Sequence, residues 1–222
     1  MAAVGVDGCR GGWIAATRAG ARRIARVAEL FACALTPTVV AIDIPIGLTD
    51  AGPRRCDAEA RRRLGPARGA SVFAAPIRPM LPAQSHAEAC ALGRAADGRA
   101  LSLQCWGIVP KIREVDALVC ADAAARGALR EVSPELSFAL MNGGKALAAK
   151  RSAAGALERR QLVEAAFGAA ARRALTELHE TADVLDAFAA LWSAERITRG
   201  EALVLPADPP RDAWGIAMSI SA

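Results

Sequence analysis

The chain has 222 residues, of which 53% are hydrophobic and 23% are charged, and its formal net charge at pH 7 is +5. This length supplies one sizeable core and is short for two domains, and the hydrophobic content excludes an intrinsically disordered protein. No apolar run approaches the roughly 20 residues of a membrane helix, and no charged leader precedes an apolar core at the N-terminus. We therefore expect a single domain over residues 1–222, in a cytoplasmic protein with no membrane partner.

The cysteines and arginines of the chain bear on two possibilities, a zinc site and a nucleic-acid partner. Six cysteines are scattered along the chain without a C-x-x-C pair, which favours reduced thiols over a zinc site. Arginine supplies nearly all of the positive charge, because the only lysines are Lys111, Lys145 and Lys150. Guanidinium groups bind phosphate bidentately, so the charge is weakly consistent with a nucleic-acid partner, although biased codon usage would give the same composition.

The first predicted element is a buried strand over 2–7, a short apolar run that ends at Asp7. Gly8, Gly11 and Gly12 then permit a sharp turn or the close approach of a ligand, and the apolar run 13–17 predicts the returning strand. A carboxylate therefore stands at the carboxyl end of a buried strand. The alternative is that Asp7 and Gly8 are only the turn pair of a hairpin.

A second strand of the same kind is predicted over 38–44 and contains Asp43. Residues 22–28 predict a third strand and residues 29–35 a short helix, so an antiparallel meander precedes a strand that can lie parallel to the first. The apolar residues around Asp43 are typical of a central strand covered on both faces, where an unpaired carboxylate is unfavourable. If the two strands are neighbours, Asp7 and Asp43 repel each other unless a divalent cation binds between them.

The rest of the chain predicts an irregular, basic insertion at about 49–103, followed mostly by helix. Within the insertion, helices are expected over 57–64 and 85–95, with Ser85 as the N-cap of the second and Glu88 three residues later. The later predicted elements are a helix over 104–126 that bends at Pro110, a strand over 128–132, a loop over 142–145, helix over 155–198 interrupted near Thr181, and strands over 202–205 and 214–220.

The late helix contributes two more acidic residues. Asp183 and Asp186 are three apart and share one helix face, Thr181 is the candidate N-cap, and His179 lies four residues before Asp183. Acids in a first turn are also favoured by the helix dipole alone, and a solvated histidine is ordinary. If this face instead meets the two strand aspartates, the carboxylates suit two magnesium or manganese ions about 4 Å apart, as in metal-assisted phosphodiester hydrolysis.

Eight segments are distinctive in combination: GVDGCRGGW at 5–13, AIDIPIGL at 41–48, RCD at 55–57, SVFAAP at 71–76, PKI at 110–112, REVSPELSF at 130–138, NGG at 142–144 and DVLDA at 183–187. Together they resemble the bacterial and archaeal family called domain of unknown function 429, and the resemblance extends over nearly the whole chain. That family is described as predicted nucleases with a ribonuclease H-like fold, and its biological substrate is unsettled.

The resemblance implies an α/β fold with a mixed five-stranded sheet of order 3-2-1-4-5 and helices on both faces. It implies a nuclease that uses Mg²⁺ or Mn²⁺. The DVLDA segment is similar to the closing motif of bacterial Holliday-junction resolvases. The implied metal ligands are Asp7, Asp43, Asp183 and Asp186.

Other residues receive weaker roles from the same resemblance. Glu131 is a further catalytic candidate that could instead pair with an arginine, and Ser133 stands where family members often carry histidine. The candidate phosphate contacts, each of which could equally be a solvated or structural cation, are Arg10, Arg55, Arg61, Arg78 and Lys111.

Two alternatives on the same fold stay open. One is a nucleic-acid-binding or scaffold protein without catalysis. The other is a phosphate- or nucleotide-binding relative of the actin-like and sugar-kinase group, in which the turn after Asp7 contacts a phosphate; such proteins normally have two such halves, and 222 residues leave little room for a second. The sequence leaves open the substrate, whether DNA, RNA, hybrid or branched, and the oligomeric state, including a homodimer.

Overall fold

A computed structural model describes residues 3–32, 37–179 and 181–222 of the chain, with the side chain of Thr181 left out. Part of the helix predicted over 29–35 and Cys33 therefore lie outside the described residues, as does the predicted capping by the Thr181 side chain. The described part of that region contains a single 3₁₀ turn, Val27–Leu30.

The core of the fold is a mixed five-stranded sheet. Its strands are β1 (Ala3–Cys9), β2 (Gly12–Thr17), β3 (Gly20–Ile24), β4 (Val39–Ile42) and β5 (Leu129–Glu131). The order is β3-β2-β1-β4-β5, with β1, β4 and β5 parallel and the first three strands forming the antiparallel meander. The predicted sheet order is therefore confirmed, and the carboxyl ends of three parallel strands share one edge of the sheet.

Seven helices surround this sheet on both faces in the described residues. The interruption of the late helical region near Thr181 is confirmed, because one helix ends at Leu178 and the next begins at Thr181. The helices are α1 (Arg55–Arg68), α2 (His86–Asp97), α3 (Leu103–Ala121), α4 (Ala123–Ala128), α5 (Pro134–Met141), α6 (Ala153–Leu178) and α7 (Thr181–Arg199).

Helix α7 packs directly on the central strand β1. A Cβ atom at Gly5 would lie 2.0 Å from the backbone nitrogen of Leu191 and 2.2 Å from the carbonyl oxygen of Ala187. Only glycine on the strand and small residues on the helix permit this approach. The close packing places the first turn of α7 beside the carboxyl end of β1, which is the arrangement the candidate site requires.

Three details of the predicted elements were wrong. The first strand does not end at Asp7 but continues to Cys9, because Asp7 pairs with Ile14 inside the ladder. The hairpin turn is therefore at Arg10 and Gly11, which rules out the alternative that Asp7 and Gly8 are the turn pair. The predicted helix over 104–126 is divided by Asp122, whose side chain accepts from the amides of the next helix; aspartate favours such an N-cap over a helix interior.

The strand predicted over 214–220 is also wrong, since the final sheet contains only β6 (Val204–Leu205) and β7 (Ile220–Ser221). The side chain of Asp212 accepts hydrogen bonds from the amides of Trp214 and Ile216, both at 2.9 Å. This local bonding turns the backbone where a strand would have continued.

No helix in the described part of the chain has both the length and the apolar character required to cross a membrane.

Candidate metal centre

Two aspartates, Asp7 and Asp43, lie side by side directly after the last residue pair between β1 and β4. Val6 pairs with Ile42 across the parallel strands, and the backbone amide of Asp43 donates to the carbonyl oxygen of Val6 at 3.2 Å. Asp7 is 8% exposed, whereas Asp43 is exposed to the cleft. The sequence prediction that these two carboxylates meet at one edge of the sheet is therefore correct.

Helix α7 adds the other two predicted aspartates. Asp186 is 5% exposed and Asp183 is half-buried. Both carboxylates act on Asp7 electrostatically, because each raises the pKa of its side chain. All four predicted metal ligands thus belong to one cluster, which we call the carboxylate cluster: Asp7, Asp43, Asp183 and Asp186. His179 is an exposed residue at the C-terminal end of α6.

Burial and neighbouring negative charge raise the pKa values of the aspartates in the carboxylate cluster. Removal from water raises the pKa of Asp7 well above its usual range, and the neighbouring Asp186, Asp43 and Asp183 raise it further. Desolvation and Asp186 raise the pKa of Asp43 to about 8, although the residue is exposed to the cleft. Desolvation also raises the pKa of Asp186. Like charges held together in a partly buried place favour protons or cations.

Lys150 contacts the cluster at Asp186. Its ammonium donates a hydrogen bond to the Asp186 carboxylate, and Asp186, Asp7 and Asp43 raise the pKa of Lys150 against the opposing effect of burial. The lysine side chain is 41% exposed. The side chains of Asp7 and Asp43 accept no hydrogen bond from any described residue, so the strand aspartates lack the donors that satisfy a structural carboxylate.

The carboxylate cluster has the ligand atoms that a divalent cation prefers, but its side chains are not arranged closely enough to enclose one. Its donors are all carboxylate oxygens, the ligands that Mg²⁺ and Mn²⁺ prefer, and their mutual repulsion shows that positive charge is in deficit. In the described part of the chain, however, no three histidine, cysteine or acidic side chains converge closely enough to hold one ion together. Lys150 takes up one of the oxygens that an ion would need.

Glu131 has a different environment from the four aspartates. Arg54 donates to both of its carboxylate oxygens, at 2.8 and 2.6 Å, and the amide of Ile46 donates at 2.7 Å. The same arginine reaches Asp57, whose second oxygen accepts from the amide of Ala75. Glu131 is thus paired with an arginine, as the sequence allowed, and it holds the loop after β4 in place.

A cavity of about 160 Å³ opens beside the carboxylate cluster. The segments with distinctive sequence supply much of its wall, including residues 71–73 and Ser133. Lys111 also lines it, donates to the carbonyl oxygen of Gly12 and lies 4.2 Å from the centre of the Trp13 ring. Burial lowers the pKa of Lys111, while nearby groups that include Asp7 oppose that shift.

The predicted arginine contacts are less suited to a ligand than Lys111. Arg78 is held by Asp116 and Asp212, Arg55 pairs with Glu59 along α1, and Arg61 donates to the carbonyl oxygen of Val72. Arg10 is exposed at the tip of the first hairpin. Of the five predicted phosphate contacts, only Lys111 lines the cavity beside the aspartates.

Sequence reasoning missed Lys150 and Arg54. Lys150 lies in the loop region between α5 and α6, and nothing in its local sequence distinguishes it from a surface lysine. A weak signal for Arg54 was available, since it is adjacent to the distinctive segment 55–57 and three residues before Asp57, but its main partner Glu131 is 77 residues away.

Comparison with known proteins gives one match. The sequence model of a family described as a protein of unknown function, DUF429, matches residues 5–211. No match was found among curated proteins or among solved structures.

Proposed function

The chain belongs to the DUF429 family, and we propose that it is a nuclease that hydrolyses phosphodiester bonds of DNA or RNA with the help of Mg²⁺ or Mn²⁺. We assign it to the ribonuclease H-like group of folds, whose sheet order it has. The observation that carries the proposal is the charge imbalance at the carboxylate cluster: Asp7 and Asp43 accept no hydrogen bond from any described residue, and the neighbouring Asp186 is bound by Lys150.

A structural role explains this imbalance poorly. Like charges that raise each other's pKa reduce the free energy of unfolding at neutral pH, and the fold supplies arginine partners for the acidic residues next to the cluster. A binding site for a divalent cation explains both the repulsion and the missing donors. Two such ions, when bound, activate water and stabilise the leaving oxygen of a phosphodiester.

The chain's own residues would then have distinct roles. Asp7, Asp43 and Asp186 would hold the metal, with Asp183 at the edge of the same set. Lys111 lies beside Asp7 in the cavity, where its ammonium can attract a phosphate group of the substrate. Gly8 makes room for this lysine, since a Cβ there would lie 2.9 Å from its side chain.

The test is cleavage of labelled single-stranded, duplex, hybrid and branched substrates in Mg²⁺ or Mn²⁺. We expect metal-dependent cleavage of at least one substrate, and a loss of about 10³-fold or more in Asp7→Asn, because the substitution removes a charge that acts directly on the metal. Asp208→Asn is the matched control, since Asp208 is exposed and outside the cluster; it should cleave like the wild type.

Failure of this experiment has a clear form. If none of the four substrates is cleaved in either metal, or if cleavage survives both a chelator and Asp7→Asn, the proposed nuclease is wrong. Binding of nucleic acid without turnover, unaffected by chelator, would instead indicate a binding protein that shares the fold.

A further inference from the structure

A second cavity, of about 300 Å³, lies against β5. Glu131 lines both this cavity and the one beside the carboxylate cluster. The wall of the second cavity is formed by residues of α3, α4, β5 and the segment 211–219, together with Ile46. Three arginines line it, and we call them the arginine triad: Arg126, Arg130 and Arg211.

Each guanidinium of the arginine triad is held by backbone oxygens and not by a carboxylate. Arg126 donates to the carbonyl oxygens of Val119 and Cys120, both at 2.6 Å. Arg130 donates to that of Leu129 at 2.8 Å, and Arg211 to that of Gly215 at 2.6 Å. These contacts fix the three groups in place while leaving N–H donors of each guanidinium, which has five, available.

The acidic residues nearest in sequence to the triad are engaged elsewhere. Asp212 follows Arg211, yet its carboxylate accepts from Arg78 and from the amides of Leu48, Trp214 and Ile216. Among the described residues, no carboxylate forms an ion pair with any member of the triad.

Two other neighbouring acids are likewise satisfied. Asp122 caps α4 by accepting from the amides of Ala124 and Ala125. Glu131 is bound by Arg54. Among the described residues that line the cavity, the three arginines are the cations, and the acid is Glu131, which Arg54 already binds.

Partial burial of one member of the triad is unfavourable without a ligand. Arg130 is half-buried, and desolvation lowers its pKa with no carboxylate opposing the effect. Arg54, Glu131 and Asp57 form a contrasting group, which we call the Arg54 network. There the two carboxylates raise the pKa of Arg54 against the effect of desolvation. A cation removed from water is normally paired, so half-buried Arg130 lacks the carboxylate partner that buried Arg54 has, while Arg126 and Arg211 are exposed beside it.

We propose that the arginine triad is a binding site for a phosphate group, carried either by a small phosphorylated molecule or by the backbone of a nucleic acid. Guanidinium forks match the oxygens of phosphate and bind them bidentately. The cavity also has apolar walls, among them Ile46, Val119 and Ile216, which suit the organic part of a phosphate ester. This site does not depend on the proposed nuclease activity, because it uses none of the four aspartates.

The experiment measures binding by isothermal titration calorimetry with the full chain in the presence of a chelator. The probes are inorganic phosphate, a nucleoside monophosphate and a short single-stranded oligonucleotide. We expect saturable binding of at least one probe, weakened about tenfold or more in Arg130→Gln and in Arg211→Gln, since each substitution removes a charged hydrogen-bond donor. Arg94→Gln, at an exposed arginine of α2, should bind like the wild type.

The three probes separate the sources of the phosphate. Binding of phosphate and the monophosphate supports a small phosphorylated ligand, and binding of the oligonucleotide alone supports a nucleic-acid backbone. Arg211 is exposed and contacts one backbone oxygen, so Arg211→Gln should fold even if Arg130→Gln does not, which circular dichroism will show. Absence of saturable binding by all three probes, or wild-type affinity in Arg211→Gln, overturns the proposal.

Discussion

The carboxylate cluster and the Arg54 network lie against the same cavity, and the fold treats their acidic residues in opposite ways. Glu131 and Asp57 share Arg54 and accept from two backbone amides. Asp7 and Asp43 accept no hydrogen bond from any described side chain or amide. They lie next to each other on adjacent strands, and the charge of Asp43 raises the pKa of Asp7.

This difference separates a structural role from a functional one. Glu131 and Asp7 are both buried acids near the carboxyl ends of parallel strands, so neither residue type nor burial distinguishes them. What distinguishes them is whether the chain supplies donors for the charge. A charge that the chain leaves unbalanced is the better candidate for binding something from outside.

The largest effect on stability should come from breaking the Arg54 network. Arg54→Met leaves Glu131 and Asp57 buried without their cation, and we expect it to lower the free energy of unfolding by about 3–5 kcal/mol. Arg55→Met is a close control, because Arg55 is exposed and its pair with Glu59 lies on the helix surface; such pairs contribute about 0.5 kcal/mol or less. Urea denaturation measures the free energy of unfolding of both variants. Equal decreases in Arg54→Met and Arg55→Met would contradict a special structural role for Arg54.

A smaller effect of opposite sign is expected in the carboxylate cluster. The pKa values of Asp7 and Asp43 are raised in the folded state, the latter to about 8. Between the ordinary carboxyl pKa and these raised values, the folded chain holds protons that the unfolded chain has released, so stability falls as pH rises through this window. Asp7→Asn should therefore be more stable than the wild type at about pH 8 without metal, and the gain should vanish near pH 4.

The measurement is thermal unfolding in a chelator at several pH values. Each kcal/mol of relief should raise Tm by about 2–4 °C in a domain of this size. Asp208→Asn should follow the wild-type profile. A destabilised Asp7→Asn at alkaline pH would mean that Asp7 has a structural partner.

The smallest effect is expected from Lys150→Met. Removing the ammonium leaves Asp186 without its contact, which should destabilise the metal-free protein by about 1 kcal/mol, a modest value because solvent reaches the lysine. Mg²⁺ should stabilise this variant more than it stabilises the wild type, since the ion no longer competes with the ammonium. An equal response of Tm to Mg²⁺ in both proteins would contradict the view that Lys150 occupies part of the cation site.

The sequence predicted the sheet and the meeting of the aspartates because both follow from local patterns. Apolar runs that end in aspartate mark buried parallel strands, and a three-residue spacing marks one helix face. The carboxyl ends of parallel strands share an edge of the sheet, so Asp7 and Asp43 could be placed together before the structure was known.

The partners of charged side chains could not be predicted in the same way. Arg78 was a candidate phosphate contact, but its guanidinium is paired with Asp116 and Asp212, which are 38 and 134 residues away in sequence. Arg126, Arg130 and Arg211 looked like any other arginines, and only the fold brings them to one cavity. Long-range pairing depends on tertiary contacts that no local pattern encodes.

The central claim, that the carboxylate cluster binds divalent cations, is tested most directly by a crystal grown or soaked in Mn²⁺ and measured for anomalous scattering. The account predicts peaks bound by Asp7 together with Asp43 and Asp186, with Lys150 moved away from Asp186. Manganese that binds only elsewhere on the molecule, with the contact between Lys150 and Asp186 intact, would contradict it.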